Sequence, residues 1–133
     1  MVLRRKMSLR VGFSTLLCFV PLLLHPRNKH MKVFVMDPID PSAVELLSRA
    51  HTVVNYPESR SADWHTNADA VVVRTFEVRA TDFPKASNLK IVAKHGTGVD
   101  NVDIEAASEA GVLVTNTPGA NANAVAEYAL AIA

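Results

Sequence analysis

The 133-residue sequence has a single cysteine, Cys18, which lies within the first thirty residues. One cysteine excludes a disulfide framework within the chain, and this suits a reducing compartment without proving one. The sequence also lacks internal repeats and low-complexity segments. A chain of this length can nevertheless bury one hydrophobic core. We therefore expect a single globular domain that is held together by packing.

Acidic residues are absent from the first thirty residues, which carry six basic ones: Arg4, Arg5, Lys6, Arg10, Arg27 and Lys29. From Met31 onward the sequence has eight basic and thirteen acidic residues, a balance of −5. This mildly acidic body has no basic patch of the kind that nucleic-acid-binding proteins present. We therefore expect no nucleic-acid partner.

No apolar run is long enough to cross a bilayer as a helix, which takes about 20 residues. The apolar run of the basic leader (residues 1–30) covers residues 11–24 and is broken by Pro21. Three interpretations of the leader stay open: a signal peptide without a small-x-small cleavage site, an arginine-containing organellar transit segment, or a poorly ordered extension upstream of a true start at Met31. Localisation stays open with them, and the cytoplasm is favoured.

From residue 31 onward, short apolar runs alternate with segments that have helix signals. Strands are predicted at residues 32–36, 51–55, 70–73, 90–93 and 112–115. These runs are apolar without alternation, which is typical of parallel strands covered on both faces. The pattern predicts an α/β fold: a doubly wound, parallel, five-stranded sheet of the flavodoxin-like type over residues 31–133.

Helix boundaries are marked by capping residues. Asp40 precedes a proline at the start of one predicted helix, and Asp103 precedes a helix that ends before Gly111, a residue free to take a left-handed conformation. A short helix is expected at about residues 81–86, one helical turn near Trp64, and a final helix after Asn121 or Asn123. The final helix is apolar almost all round, so we expect its burial on more than one side.

Two features lie at the carboxyl ends of predicted strands. Arg74 follows the third strand, and a turn with Gly96 and Gly98 follows the fourth. Glycine lets backbone N–H groups approach a ligand closely, and successive N–H groups can form an anion-binding concavity. Ligands of open α/β sheets bind at the strands' carboxyl ends, so Arg74 and this turn can converge. Taken alone, the turn also fits an ordinary tight loop.

The segments Leu89–Val92, Gly96–Asp103 and Val114–Pro118, followed by Ala126-Glu127, occur in one order. Together they resemble the N-terminal part of D-isomer-specific 2-hydroxyacid dehydrogenases, especially the 3-phosphoglycerate dehydrogenase-like branch. The resemblance is strongest from residue 70 onward and does not cover the leader. It implies an enzyme with a substrate-binding domain and an inserted Rossmann domain for NAD. This chain matches only the substrate-binding part.

The resemblance also implies residue roles. Arg74 matches the arginine that holds the substrate's anionic end, for which a guanidinium fork is suited. Residues 94–98 match the turn that cradles the carboxylate of a small 2-hydroxy or 2-oxo acid. Within this turn, Thr97 also matches a position near the nicotinamide of the cofactor. Many relatives have an Arg-Ala pair where this chain has Lys94-His95, and lysine lacks the fork, so phosphoglycerate is in doubt as substrate. The predicted substrate site is therefore Arg74, Lys94, His95, Gly96, Thr97 and Gly98.

The family's catalytic histidine, its carboxylate partner, its polarising arginine and its G-x-G-x-x-G turn would follow the matched part. Asn101 stands where that fingerprint requires its third glycine. His95 is expected to line the site without acting as a catalytic acid, and no catalytic or metal-binding residue is predicted. We expect a truncated oxidoreductase, ending in mid-helix at Ala133 and inactive alone, that acts on the CH–OH group of a 2-hydroxy acid. The alternative is a non-catalytic binding or regulatory module that pairs with a full-length relative. Homo-oligomerisation is also open.

Overall fold

A computed structural model describes residues 30–132. The three interpretations of the leader therefore concern residues outside the described part, apart from residue 30, and so does the expectation about the chain end at residue 133. Within residues 30–132, every helix is too short or too polar to cross a membrane.

Five strands alternate with helices along the chain. The strands are β1 Lys32–Val35, β2 Thr52–Val54, β3 Ala70–Val73, β4 Ile91–Lys94 and β5 Leu113–Thr115. They form one sheet with the order β2-β1-β3-β4-β5, and every neighbouring pair is parallel. This is the flavodoxin-like order, so the predicted doubly wound five-stranded sheet is confirmed. The helices are α1 Pro41–Ser48, α2 Glu58–Ser61, α3 Trp64–Asn67, α4 Ile104–Glu109 and α5 Ala122–Ile132.

Capping residues begin two of these helices where the sequence predicts. The Asp40 side chain accepts a hydrogen bond from the backbone N–H of Ser42 at 2.8 Å, and Asp103 accepts one from that of Ala106 at 3.0 Å. Gly111 follows α4 with φ of +72°, a conformation that L side chains rarely adopt. Asn123 lies inside α5, so of the two predicted caps only Asn121 precedes the helix.

Two short segments differ from the sequence-based expectation. The helix predicted at residues 81–86 is a single 3-10 turn, Phe83–Lys85, which ends at Ala86 with non-helical backbone angles of φ −100° and ψ 58°. The polar stretch before β3 contains two short helices, α2 and α3, where one helical turn was expected.

The strands bury both of their faces. On β1, Val33 and Val35 belong to one apolar cluster, and Phe34 belongs to a second cluster on the opposite face. The same division continues on β3, where Val72 joins the first cluster and Val71 the second. Successive side chains of a strand point to opposite faces, so unalternating apolar strands require cover on both sides.

Helix α5 departs from expectation, since every residue from 122 to 132 is exposed. Val125 is 56 % exposed and Leu130 81 %. The prediction of burial on more than one side is therefore wrong for the described chain. The apolar composition shows that burial of α5 would be favourable, but residues 30–132 supply no surface that covers it.

A matched pair of valine substitutions tests where the core lies. Val71→Ala, at a position 1 % exposed in β3, should lower the free energy of unfolding by about 2 kcal/mol, because it removes buried methyl groups and leaves a cavity. Val125→Ala on α5 should change it by less than about 0.5 kcal/mol. Urea unfolding followed by the fluorescence of the buried Trp64 measures both values. Equal losses would contradict this assignment of the core.

Candidate anion-binding site at the carboxyl edge of the sheet

Asp37 follows β1 and is only 2 % exposed. Its Oδ2 accepts hydrogen bonds from three consecutive backbone N–H groups, those of Arg74 at 2.6 Å, Thr75 at 2.9 Å and Phe76 at 2.9 Å. Its Oδ1 accepts from the Thr75 hydroxyl at 2.9 Å and from Nη2 of Arg60 at 2.7 Å. This single carboxylate therefore holds the segment that follows β3.

The hydrogen bonds to Asp37 change its acidity. Burial alone raises the pKa of a carboxyl group, because surroundings of low polarity disfavour the charged form. The N–H groups of Arg74, Phe76 and Thr75 donate to the charged form and together outweigh burial, so the pKa of Asp37 falls from 3.8 to about 2. The carboxylate is therefore ionised at neutral pH and accepts all five hydrogen bonds.

Lys94, the last residue of β4, holds the same segment from its carbonyl side. Its Nζ donates to the carbonyl oxygen of Arg74 and to Oδ1 of Asn101. Asn101 in turn donates from Nδ2 to the carbonyl oxygen of Phe76 at 2.6 Å. The ammonium group of Lys94 is thus engaged inside the protein, and a direct contact between Lys94 and a substrate stays a prediction.

Arg74 lies beside the turn that follows β4. The strand register pairs Val73 with Lys94, and the backbone N–H of His95 donates to the carbonyl oxygen of Val73 at 2.8 Å. Arg74 and His95 are therefore adjacent at the carboxyl edge of the sheet. The Arg74 side chain is exposed and has no hydrogen bond or ion pair with residues 30–132. It is a cation available to a ligand.

The β4 turn, defined here as residues 95–101, exposes backbone donors at this edge. Gly96 has φ of +145°, and a Cβ at this position would lie 3.3 Å from Cε of Lys94, so a side chain would be strained here. Within the described chain, the backbone N–H groups of residues 97–101 have no acceptor. N–H groups need partners, so these donors are open to water or to an anion.

The β4 turn is also tied to the loop that leads into α5. The N–H of Thr117 donates to the carbonyl oxygen of Gly96 at 2.9 Å, and Nδ2 of Asn116 donates to that of Thr97 at 2.7 Å. The Thr97 hydroxyl lies 3.2 Å from Oδ1 of Asn121. The predicted site residues Gly96, Thr97 and Gly98 thus share one turn, which two neighbouring segments hold in place.

Acid–base and metal chemistry have little support within residues 30–132. The exposed His95 side chain makes no hydrogen bond to any described carboxylate. A histidine–carboxylate pair does occur where Nε2 of His65 lies 2.9 Å from Oδ1 of Asp82, but His65 is in α3, before the amino end of β3. The described residues contain no cluster of three or more potential metal ligands.

The β4 turn does not fit the pyrophosphate of a dinucleotide cofactor. The turn carries Asn101 at the position of the third fingerprint glycine. Helix α4 begins only at Ile104, and the carboxylate of Asp103 caps its first turn. A pyrophosphate bound at this helix N-terminus would meet the negative charge of Asp103. The turn is therefore not a site for the cofactor's pyrophosphate.

The parallel sheet and its helices thus form a doubly wound α/β domain, a class whose ligands bind at the carboxyl ends of the strands, and Arg74 lies at that edge without a partner within residues 30–132. Residues 33–131 match the family described as "D-isomer specific 2-hydroxyacid dehydrogenase, catalytic domain". The chain belongs to this family of NAD(P)-dependent oxidoreductases, as its motifs predict.

Individual relatives agree with this assignment. The chain is 36 % identical to a D-3-phosphoglycerate dehydrogenase of Archaeoglobus fulgidus over 107 residues, and 38 % identical to a hydroxypyruvate reductase of Thermotoga maritima over 106 residues. These alignments cover 77 % and 76 % of this chain, but only 20 % and 35 % of the relatives.

Solved structures agree as well. The NAD⁺-bound 3-phosphoglycerate dehydrogenase of Entamoeba histolytica aligns with a TM-score of 0.63 and 31 % identity, over 77 % of this chain and 38 % of that one. A Pyrococcus horikoshii protein, PH0520, aligns with a TM-score of 0.65 and 28 % identity, over 77 % of this chain and 32 % of that one. The chain thus spans a minor part of the relatives that it matches.

Sequence reasoning missed two residues of this edge. Asp37, which directly follows the strand predicted at residues 32–36, was given no role, and Asn101 was used only as a departure from a glycine fingerprint. A signal for Asp37 does exist, because an acidic residue directly after a buried central strand lies at the carboxyl edge. However, the N–H groups that donate to Asp37 belong to residues 37 or more positions further along the chain, and local sequence does not reveal such hydrogen bonds.

Acid titration tests the buried carboxylate. The pKa of Asp37 is lower in the folded state than in the unfolded state. The contribution of this carboxylate to the free energy of unfolding is therefore complete above pH 3.8, the ordinary pKa, and is lost as the pH falls through about 2. Asp37→Asn should lower the free energy of unfolding at neutral pH. The difference in this free energy between the variant and the unsubstituted chain should shrink by about 2 kcal/mol between pH 5 and about pH 2. Urea unfolding at stepped pH measures this.

The control for this titration is Asp100→Asn, at an exposed position whose carboxylate makes no hydrogen bond within residues 30–132. This variant should follow the unsubstituted chain at every pH. A deficit of Asp37→Asn that is independent of pH would contradict the lowered pKa.

Proposed function

We propose that this chain is the substrate-holding part of an NAD-dependent 2-hydroxyacid dehydrogenase, and that it binds the carboxylate of a 2-hydroxy or 2-oxo acid. The observation that carries the proposal is the exposed Arg74, which has no partner within residues 30–132 and lies next to His95 at the start of the β4 turn, where the N–H groups of residues 97–101 lack acceptors. A guanidinium binds a carboxylate through two parallel hydrogen bonds, and successive N–H groups add further donors. The acid end of the ligand would lie between them.

Short, unphosphorylated acids are the favoured ligands. Besides several named D-3-phosphoglycerate dehydrogenase, relatives of this chain include proteins named hydroxypyruvate reductase and glyoxylate reductase. A phosphate group would benefit from a second free cation, and the ammonium group of Lys94 is already engaged by Arg74 and Asn101. Hydride transfer at C2 also requires a cofactor and a proton-transferring histidine, and the described edge supports neither. The role proposed for this chain is therefore binding and orientation of the acid.

A titration with glyoxylate tests the proposed site. We expect millimolar binding that perturbs the backbone amide signals of Thr97 and Gly98 in ¹H–¹⁵N NMR spectra, since these N–H groups would gain an acceptor. Arg74→Met should weaken binding by about tenfold or more, because a charge-assisted pair is lost.

Arg49→Met is the matched control for this titration. Arg49 is an exposed arginine that caps the C-terminus of α1 and pairs with Glu45. It should leave glyoxylate binding unchanged. Equal binding by Arg74→Met and the unsubstituted chain would refute the proposed site.

Cofactor binding gives a second test. The described chain lacks a turn that fits the pyrophosphate, so we expect weak or undetectable NADH binding and no dehydrogenase activity with glyoxylate. Fluorescence titration of the 133-residue chain with NADH measures the affinity. Binding at micromolar concentrations would show that the β4 turn, or residues outside the described part, hold the cofactor after all.

The alternative of a non-catalytic module that pairs with a full-length relative has one observation in its favour, the exposed apolar residues of α5, which include Tyr128, Leu130 and Ile132. Exposed apolar patches mark interaction surfaces. The relatives cited above have enzyme names and give this alternative no support. Light scattering of the chain alone and mixed with a full-length relative would distinguish a monomer, a homo-oligomer and a mixed assembly.

A further inference from the structure

We infer that Asp37 is a positioning residue for the carboxylate site, acting through the backbone of Arg74. This inference rests on the proposed function, because it assumes that Arg74 holds the acid end of the ligand. Asp37 itself is 2 % exposed and is surrounded by its five hydrogen-bond donors, so it does not touch the ligand. Its effect on binding must therefore pass through the segment that it holds.

Side chains of other segments hold the backbone of residues 74–76. Asp37 accepts the N–H groups of all three residues, and Lys94 and Asn101 donate to the carbonyl oxygens of Arg74 and Phe76. Both polar groups of Arg74 and both of Phe76 are thus held by side chains of other segments. Regular secondary structure ends at Val73, so these side chains replace the strand hydrogen bonds that would otherwise fix the backbone.

The Arg74 guanidinium makes no ion pair with the nearby carboxylate of Asp37. The carboxylate of Asp37 lies close to the backbone of Arg74 and would attract its side chain. An ionised carboxylate offers about four lone-pair sites, and the five donors already present occupy Asp37 fully. The Arg74 side chain accordingly makes no ion pair within residues 30–132 and stays available. Asp37 thus fixes the base of the side chain without capturing its charged end.

Arg60 completes the arrangement by balancing the charge of Asp37. Its Nη2 donates to Asp37, and its Nε donates to the carbonyl oxygen of Met36 at 2.6 Å. The guanidinium carbon lies 4.7 Å from the ring centroid of Phe76, within the range of a cation–π contact. Arg60, like Lys94, is therefore a structural cation of this edge, and Arg74 is left as the ligand-binding cation.

The test replaces Asp37 with asparagine. Asn at this position presents an NH₂ group to several N–H donors, so it cannot accept all of their hydrogen bonds. Asp37→Asn should weaken glyoxylate binding by about tenfold, the size expected for one misplaced charge-assisted contact. Amide hydrogen exchange at Thr75 and Phe76 should become faster, whereas exchange at Val92 in the centre of β4 should not. All measurements are made where each variant is folded, as judged by its NMR spectrum.

A double-mutant cycle separates positioning from a general structural role. Arg74→Lys keeps a charge without the fork and leaves binding measurable. If Asp37 acts through Arg74, Asp37→Asn should weaken glyoxylate binding much less in the Arg74→Lys chain than in the unsubstituted chain. A loss of the same size in both backgrounds would overturn the inference, because it would show that Asp37 acts independently of Arg74.

Thr75→Val serves if Asp37→Asn does not fold. It removes the hydroxyl donor to Oδ1 of Asp37 at nearly constant shape, and a smaller weakening of glyoxylate binding is expected.

The inference is overturned if the folded variant, whichever of the two is used, binds glyoxylate as tightly as the unsubstituted chain. If the unsubstituted chain itself fails to bind, the proposed function fails and this inference fails with it. Binding that Arg74→Met abolishes and Asp37→Asn preserves overturns the inference alone.

Discussion

The carboxyl edge of this sheet depends on the buried carboxylate of Asp37, which accepts three consecutive backbone N–H groups from the segment after β3. A buried charge is costly unless it is well paired, and here the donors to the charged form outweigh burial so far that the pKa of Asp37 is about 2. The carboxylate links the ends of β1 and β3. Lys94 extends the link to β4, so three central strands are connected just beyond their ladder hydrogen bonds.

This connection divides the cations of the edge into two kinds. Arg60 and Lys94 donate to groups of the protein itself, whereas Arg74 has no partner within residues 30–132. Helix α5 is a second feature without a partner within residues 30–132, because its apolar side chains are exposed. It is joined to the β4 turn by Thr97 and Asn121, so whatever covers this helix would also bear on the proposed site.

Much of the candidate site could be predicted from local sequence. Arg74 and the glycine turn each follow an apolar run, and the carboxyl ends of parallel strands meet at one edge, so a common edge was expected; the pairing of β3 with β4 makes them neighbours there. Lys94 does lie at this edge, but the two hydrogen bonds that its ammonium group makes within the protein were not foreseeable, and its contact with a substrate stays a prediction. Asp37 was overlooked because an aspartate before a proline is also an ordinary strand end. Its burial depends on residues 74–76, which are far away in sequence.

The sequence by itself determined the parallel sheet, the caps of α1 and α4 and the family of the protein. These follow from local periodicity, from short-range hydrogen bonds and from motifs that lie in one order. Only the tertiary structure decided which charged groups are free and which are used inside the protein, and that α5 is uncovered within residues 30–132. The physical reason is that burial and hydrogen-bond partnership are properties of pairs of distant segments. The same aspartate, lysine or arginine is a surface charge or a structural group according to what the fold brings beside it.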